Sequence, residues 1–209
     1  MSNLDNNASF YPEHKDKLIE STFPGSVEVA AWDAIILEWN GKCVKVYNNK
    51  FKQETINFYH EKTNSLGKKV NGKTFETEFP DASKMTFEIQ VVGVDEESKI
   101  EDGRPYTSSR FVGGPTLMEL NNKAKTAQSS MSYTNPDVFK KLYKYEADAL
   151  NAIVDPLVKF LDDNSTSDEQ KAIKIHPDNI KIIETNEKTV IYVTDISSSL
   201  SLVQENLQV

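Results

Sequence analysis

Gly67-Lys68-Lys69-Val70-Asn71-Gly72-Lys73-Thr74 runs straight into Phe75-Glu76-Thr77-Glu78-Phe79-Pro80, and the fold turns on what each half becomes. The first eight residues match G-x-x-x-x-G-K-[ST], a phosphate-cradling loop in which Lys73 would reach phosphates and Thr74 a Mg²⁺ ion. Val91-Val92-Gly93-Val94-Asp95 would then be the strand whose terminal acid completes the metal site. Such a loop must open a helix, because the helix's first amides and its dipole hold the anion. Phe75 and Phe79 instead alternate with Glu76 and Glu78, and Pro80 closes the run. That is the period of a strand. No crossover helix fits between Thr74 and Met85. Asn71-Gly72 therefore reads as a hairpin turn, and a P-loop-like nucleotide-binding enzyme is kept only as a remote alternative.

Outward from this stretch the same period recurs. Downstream, Met85-Thr86-Phe87-Glu88-Ile89-Gln90-Val91 alternates cleanly. Upstream, Val27 to Trp39 is apolar and β-branched and stops at Asn40-Gly41, a strong hairpin signal. Lys42 to Tyr47 follows, with Val44 and Val46 opposite Lys45 and Tyr47. Asn48-Asn49 suits a tight turn. Phe51 to Lys62 is read as a further strand, with Ile56, Phe58 and His60 on one face. Residues 27–95 thus predict an antiparallel meander, with no room for parallel βαβ units.

The flanks differ. Residues 1–26 are expected as an extended N-terminal arm, and 197–209 as a polar C-terminal tail. Residues 96–133 read as a long excursion in which Pro115 opens a short helix through Lys125. Asn135-Pro136-Asp137 starts a long amphipathic helix over 136–161, which Asp155-Pro156 should kink or split. Ser167 with Gln170 resembles a capping box. Residues 178–196 predict a late strand pair around Thr185-Asn186-Glu187-Lys188. The fold expected is α+β, mainly β: an antiparallel meander or sandwich over a single domain, 27–196, with one long helix packed on it.

Composition excludes several chemistries. The 209 residues carry 24 Lys and Arg against 32 Asp and Glu, a net charge of −8 that rules out a uniformly basic nucleic-acid coat. The longest apolar run, Ala30 to Leu37, contains Asp33 and is too short to span a bilayer. The start, MSNLDNNASF, has neither the basic nor the apolar part of a signal peptide, so a cytoplasmic or virion location is expected. Cys43 is the single cysteine, which excludes an internal disulfide or multi-thiolate metal site. His14, His60 and His176 lie far from one another and from Cys43, and no G-x-S-x-G occurs. No catalytic residue, metal or cofactor is therefore expected.

Charge is blocked along the chain. Residues 41–73 hold eight lysines against Glu54 and Glu61, whereas residues 74–103 hold nine acids against Lys84 and Lys99. Complementary blocks suit contact with copies of the same chain or with other subunits. Together with the polar arms and the missing catalytic sets, this gives the leading expectation. It is a non-enzymatic structural or assembly protein, a subunit or accessory protein of a viral or phage particle. The alternative is a single-stranded nucleic-acid-binding module. Its contacts would be Lys45, Tyr47, Lys50, Lys52, Tyr59, Lys68, Lys69 and Lys73.

Overall fold

The computed structural model describes residues 17–31, 34–47, 53–126, 136–172 and 175–194. It is α+β and mainly β, with antiparallel sheets and a long helix packed on strand. The expected single domain over 27–196 divides into two compact units, and the division falls inside a helix, between His60 and Glu61.

The first unit begins with α1 (Lys17–Thr22), which replaces part of the expected arm. Strands β1 (Val27–Ala31), β2 (Ala34–Trp39) and β3 (Lys42–Tyr47) follow as consecutive antiparallel neighbours. Asn40 and Gly41 both have positive φ, 49° and 73°, as the expected two-residue hairpin turn requires. The next element corrects the sequence reading. Residues 53–70 are not a strand and a turn but an eighteen-residue helix, α2 (Gln53–Val70). Its buried positions, Thr55, Ile56, Tyr59, His60, Thr63, Leu66 and Val70, recur at helical spacing.

The segment expected as an excursion supplies two more strands, β6 (Val94–Lys99) and β7 (Pro105–Arg110). They complete a five-stranded sheet in the order β1-β2-β3-β7-β6. Ile35, Leu37, Val44 and Val46 project from one face onto Ile19 of α1, onto Phe23 just beyond it and onto Ile100. Phe23 meets Trp39 and Tyr106 edge-on at 5.3 and 5.1 Å. Each such buried side chain contributes roughly 1.5–3 kcal/mol, so this face carries the unit's core.

In the second unit, β4 (Thr74–Glu78) and β5 (Lys84–Val91) form the expected antiparallel pair. Thr74 opens a strand, so the G-x-x-x-x-G-K-T stretch begins in the last turn of a helix and ends in a strand. That is the reverse of a phosphate-binding loop. Gly72, at φ 80°, lets the chain leave α2, and Asn71 fixes the exit by bonding both backbone groups of Val91. Helices α3 (Leu117–Thr126), α4 (Pro136–Asp163) and α5 (Ser167–Ala172) follow, then a 3₁₀ turn at Pro177–Asn179 and strands β8 (Ile180–Glu184) and β9 (Thr189–Val193).

This unit's sheet runs β4-β5-β9-β8, and β5 pairs with β9 in parallel. Parallel pairing was not expected from the sequence. The capping box of α5 is Thr166 with Glu169, one residue earlier than Ser167 with Gln170. The same pattern, Thr116 with Glu119, starts α3.

Helix α4 does not break at Pro156. Proline leaves the carbonyl of Ala152 without its usual donor, and the Thr77 hydroxyl on β4 donates to that carbonyl instead. The break lies at Glu146, whose φ of 45° and ψ of −118° interrupt the helix. The expected Asn135 cap, the Asn48-Asn49 turn and the C-terminal tail lie outside the described residues.

Candidate functional site

Register on the first unit's sheet sets Lys45 opposite Thr107, and Thr107 opposite Glu97. Directly paired residues share a sheet face, so these three form a polar row across β3, β7 and β6. Tyr47, two residues along β3, lies on the same face. The first turns of α2 bring His60 to this row. His60 Nδ1 lies 2.6 Å from Glu97 Oε1, while its Nε2 lies 3.5 Å from the Tyr47 hydroxyl. Tyr47 Oη is in turn 3.4 Å from Thr107 Oγ1.

An ionised carboxylate only accepts, so Nδ1 carries the proton given to Glu97. In the neutral ring Nε2 accepts from the Tyr47 hydroxyl, and in the imidazolium it donates to that oxygen. The link to Glu97 is short, and the two hydroxyl links are long. Asn57 sits one turn before His60. Turned so that its amide nitrogen faces the carboxylate, it donates to Glu97 Oε2 at 2.7 Å. Two residues of one helical face thus grip one carboxylate on β6.

His60 is 1% exposed, and Tyr47 and Thr107 are 3% exposed each. Carboxylate, imidazole and hydroxyl have the order of a nucleophilic relay, but a hydroxyl this deeply buried meets no substrate. The set holds α2 against the sheet. On the opposite face of β7, the Tyr106 hydroxyl donates to Glu96 at 3.1 Å. Burial first, then this carboxylate, push the phenol above its ordinary pKa.

The residues expected to contact nucleic acid do not converge. Tyr47 and Tyr59 are buried and offer no stacking face. Lys45 is half-buried on β3. Lys69 bonds both oxygens of Glu169 at 2.7 and 2.6 Å, and Lys73 donates to Asn164 at 2.9 Å. Lys68 is exposed at the end of α2, and Lys50 and Lys52 lie outside the described residues. Among the described residues no aromatic groove lined by lysine results. Sequence reasoning named Lys45 and Tyr47 but missed Thr107 and Glu97, because no apolar alternation marks β6 or β7. Among the described residues no group of three or more His, Cys, Asp or Glu is placed to hold a metal ion. No described helix is long and apolar enough to cross a membrane.

No family model matches the chain, and no curated protein matches it. Among solved structures it is similar to the PknI kinase domain of Mycobacterium tuberculosis. A double-mutant form of that domain is 12% identical over 84% of this chain and 60% of the other, with a TM-score of 0.40. A form with no stated mutation is 12% identical over 84% and 60%, with a TM-score of 0.38. The chain spans about three fifths of the kinase domains it matches. So loose a superposition carries no argument about activity. Both neighbours are kinase domains. The expected structural or assembly role in a viral or phage particle is corrected on that finding, and its two alternatives fall with the buried tyrosines and with strand β4.

Proposed function

We propose that the chain is a kinase-like module that binds Mg·ATP without transferring its phosphate. The observation that carries the reading is the substitution of imidazole for carboxylate on the helix that follows the lysine-bearing third strand. In protein kinases a lysine on the third strand pairs with a glutamate on the next helix. Here Lys45 stands on the third strand in Cys43-Val44-Lys45-Val46, and the next element is α2. That helix presents His60 to the polar row, and the carboxylate comes from the sheet as Glu97. A lysine–glutamate pair between strand and helix is replaced by a histidine–glutamate latch.

The remaining kinase signatures are partly kept. Asn179 and Asp195-Ile196-Ser197 occupy the places of the metal-binding asparagine and of D-F-G in chain order. Counting back from Asn179 by the H-R-D-L-x-x-x-N spacing, the catalytic base position holds Lys174. A lysine cannot take the acceptor's proton as an aspartate does. The stretch from Val27 to Ile36, where a glycine-rich loop would lie, contains no glycine.

The test titrates the full chain with Mg·ATP while its melting temperature is followed, then looks for γ-phosphate incorporation into itself and a general acceptor protein. Expected are a saturable rise in melting temperature, its loss in Lys45→Ala, and no incorporation. No rise, or incorporation that Lys45→Ala abolishes, overturns the reading.

A further inference from the structure

The second unit carries an open cleft of about 380 Å³ between the start of β5 and the first half of α4. Four lysines line it: Lys84 from the strand, and Lys140, Lys141 and Lys144 from the helix. Asp81 and Asp137 share the lining and Glu76 stands 2.8 Å from Lys84, so four cations face three carboxylates and one positive charge is in surplus, in a chain of net charge −8.

Each cation has a distinct station. Lys141 is spent on the floor of the cleft: its ammonium donates to Asp81 and to Ser83, both at 2.6 Å. That ammonium, then the Ser83 hydroxyl, hold the Asp81 carboxyl far below its ordinary pKa, so the floor is a fixed ion pair. Lys140 lies 3.4 Å from Asp137 with its side chain 74% exposed, and Lys84 pairs with Glu76 at the surface. Exposed pairs of this kind are worth little and exchange readily for a better anion. Lys144 rests over the ring of its neighbour Tyr145 at 4.9 Å.

Lys140 and Lys144 stand one turn apart on one helical face, an arrangement of like charges that costs an isolated helix stability. Two residues beyond, Glu146 takes its positive φ in mid-helix. Strain in a non-glycine residue gathers where function over-determines the backbone. The surplus charge, the repelling pair and the strained turn coincide.

We infer that this cleft binds a phosphate monoester dianion, with Lys140, Lys144 and Lys84 as its point-charge contacts. Lysine serves phosphate as a compact charge, and the exposed pairs of Lys140 and Lys84 exchange their carboxylates for the dianion. This inference is independent of the nucleotide reading above, because it uses neither Lys45 nor any kinase signature.

The test is calorimetric titration of the full chain with inorganic phosphate, glycerol 3-phosphate and a phosphoserine peptide, at ionic strength matched with chloride. Saturable binding is expected, weakened about tenfold or more in the double variant Lys140→Gln, Lys144→Gln. Lys159→Gln, a lysine of α4 outside the cleft, should leave it unchanged. The far-ultraviolet spectrum of the double variant should match the parent, since both side chains are exposed. Tighter binding of the small ester assigns a metabolite source, and tighter binding of the peptide assigns a phosphorylated protein. No saturable binding of any probe, or equal binding by the double variant, overturns the inference. Equal loss in Lys159→Gln does the same by reducing the effect to net charge.

Discussion

Glu169 is the most buried carboxylate among the described acids, 2% exposed, at the start of α5. Burial alone would raise its pKa. The bond from Lys69, the amide of Thr166 and the hydroxyls of Ser65 and Thr166 outweigh that and hold it at about 2, against 4.5 for a free glutamate. A depressed carboxylate stabilises the fold above its unfolded pKa and loses that contribution as pH falls through the folded value. We expect stability to decline between about pH 4.5 and 2, and Glu169→Gln to remove that part of the slope. The substitution should cost about 2 kcal/mol at neutral pH, allowing for the part-exposed Lys69, as urea titrations at a series of pH values would read. His60 gives a second case. Removing either His60 or Glu97 leaves the other with a polar group unmet. Alanine variants of the two should therefore be non-additive, with a coupling of about 1–2 kcal/mol in a double-mutant cycle.

At the scale of the element, α4 shows how a helix survives an internal proline. The Thr77 hydroxyl occupies the carbonyl that Pro156 leaves open, so Thr77→Val should cost about 1–2 kcal/mol. In a Pro156→Ala background the regained amide serves that carbonyl, and the cost of Thr77→Val should fall towards zero in the same denaturation assay. Strands β3, β4, β5, β8 and β9 and the long helix were legible, because each buries one face and shows its period, whereas the run from Val27 to Trp39, read as one, is the two antiparallel strands β1 and β2. Helix α2 was not, for a physical reason. Over Ile56, Phe58 and His60 a period of two fits well, and only Leu66 and Val70 further on fix the helical stripe. Asn71-Gly72 then resembles a hairpin while serving as a helix exit. The edge strand β6, Val-Asp-Glu-Glu-Ser-Lys, is exposed along most of its length, and β7 buries Thr107 and Ser108 where apolar residues would announce a strand. The polar row stayed hidden for the same reason. The sequence places His60 on a face with Ile56 and Phe58, but its partner lies 37 residues away on a strand with no visible period.

For the whole molecule, charge is the property that sequence reports most directly. The acid excess places the isoelectric point near 5.0, where self-repulsion vanishes. Turbidity across a pH series should peak near pH 5.0 and fall on either side. A flat profile would mean that local patches, and not net charge, govern solubility.

The pairing of β5 with β9 has a consequence for the chain's birth. Ile89 finds its neighbour only when Ile191 has arrived. A growing chain emerging from the ribosome has made β4 and β5 long before then, and it must carry one side of β5 with its amides and carbonyls unanswered. Two sibling chains in that unfinished state can answer each other. Slow translation or early termination between these strands is thus the moment of greatest danger for this protein, and a holding chaperone is the help it would need.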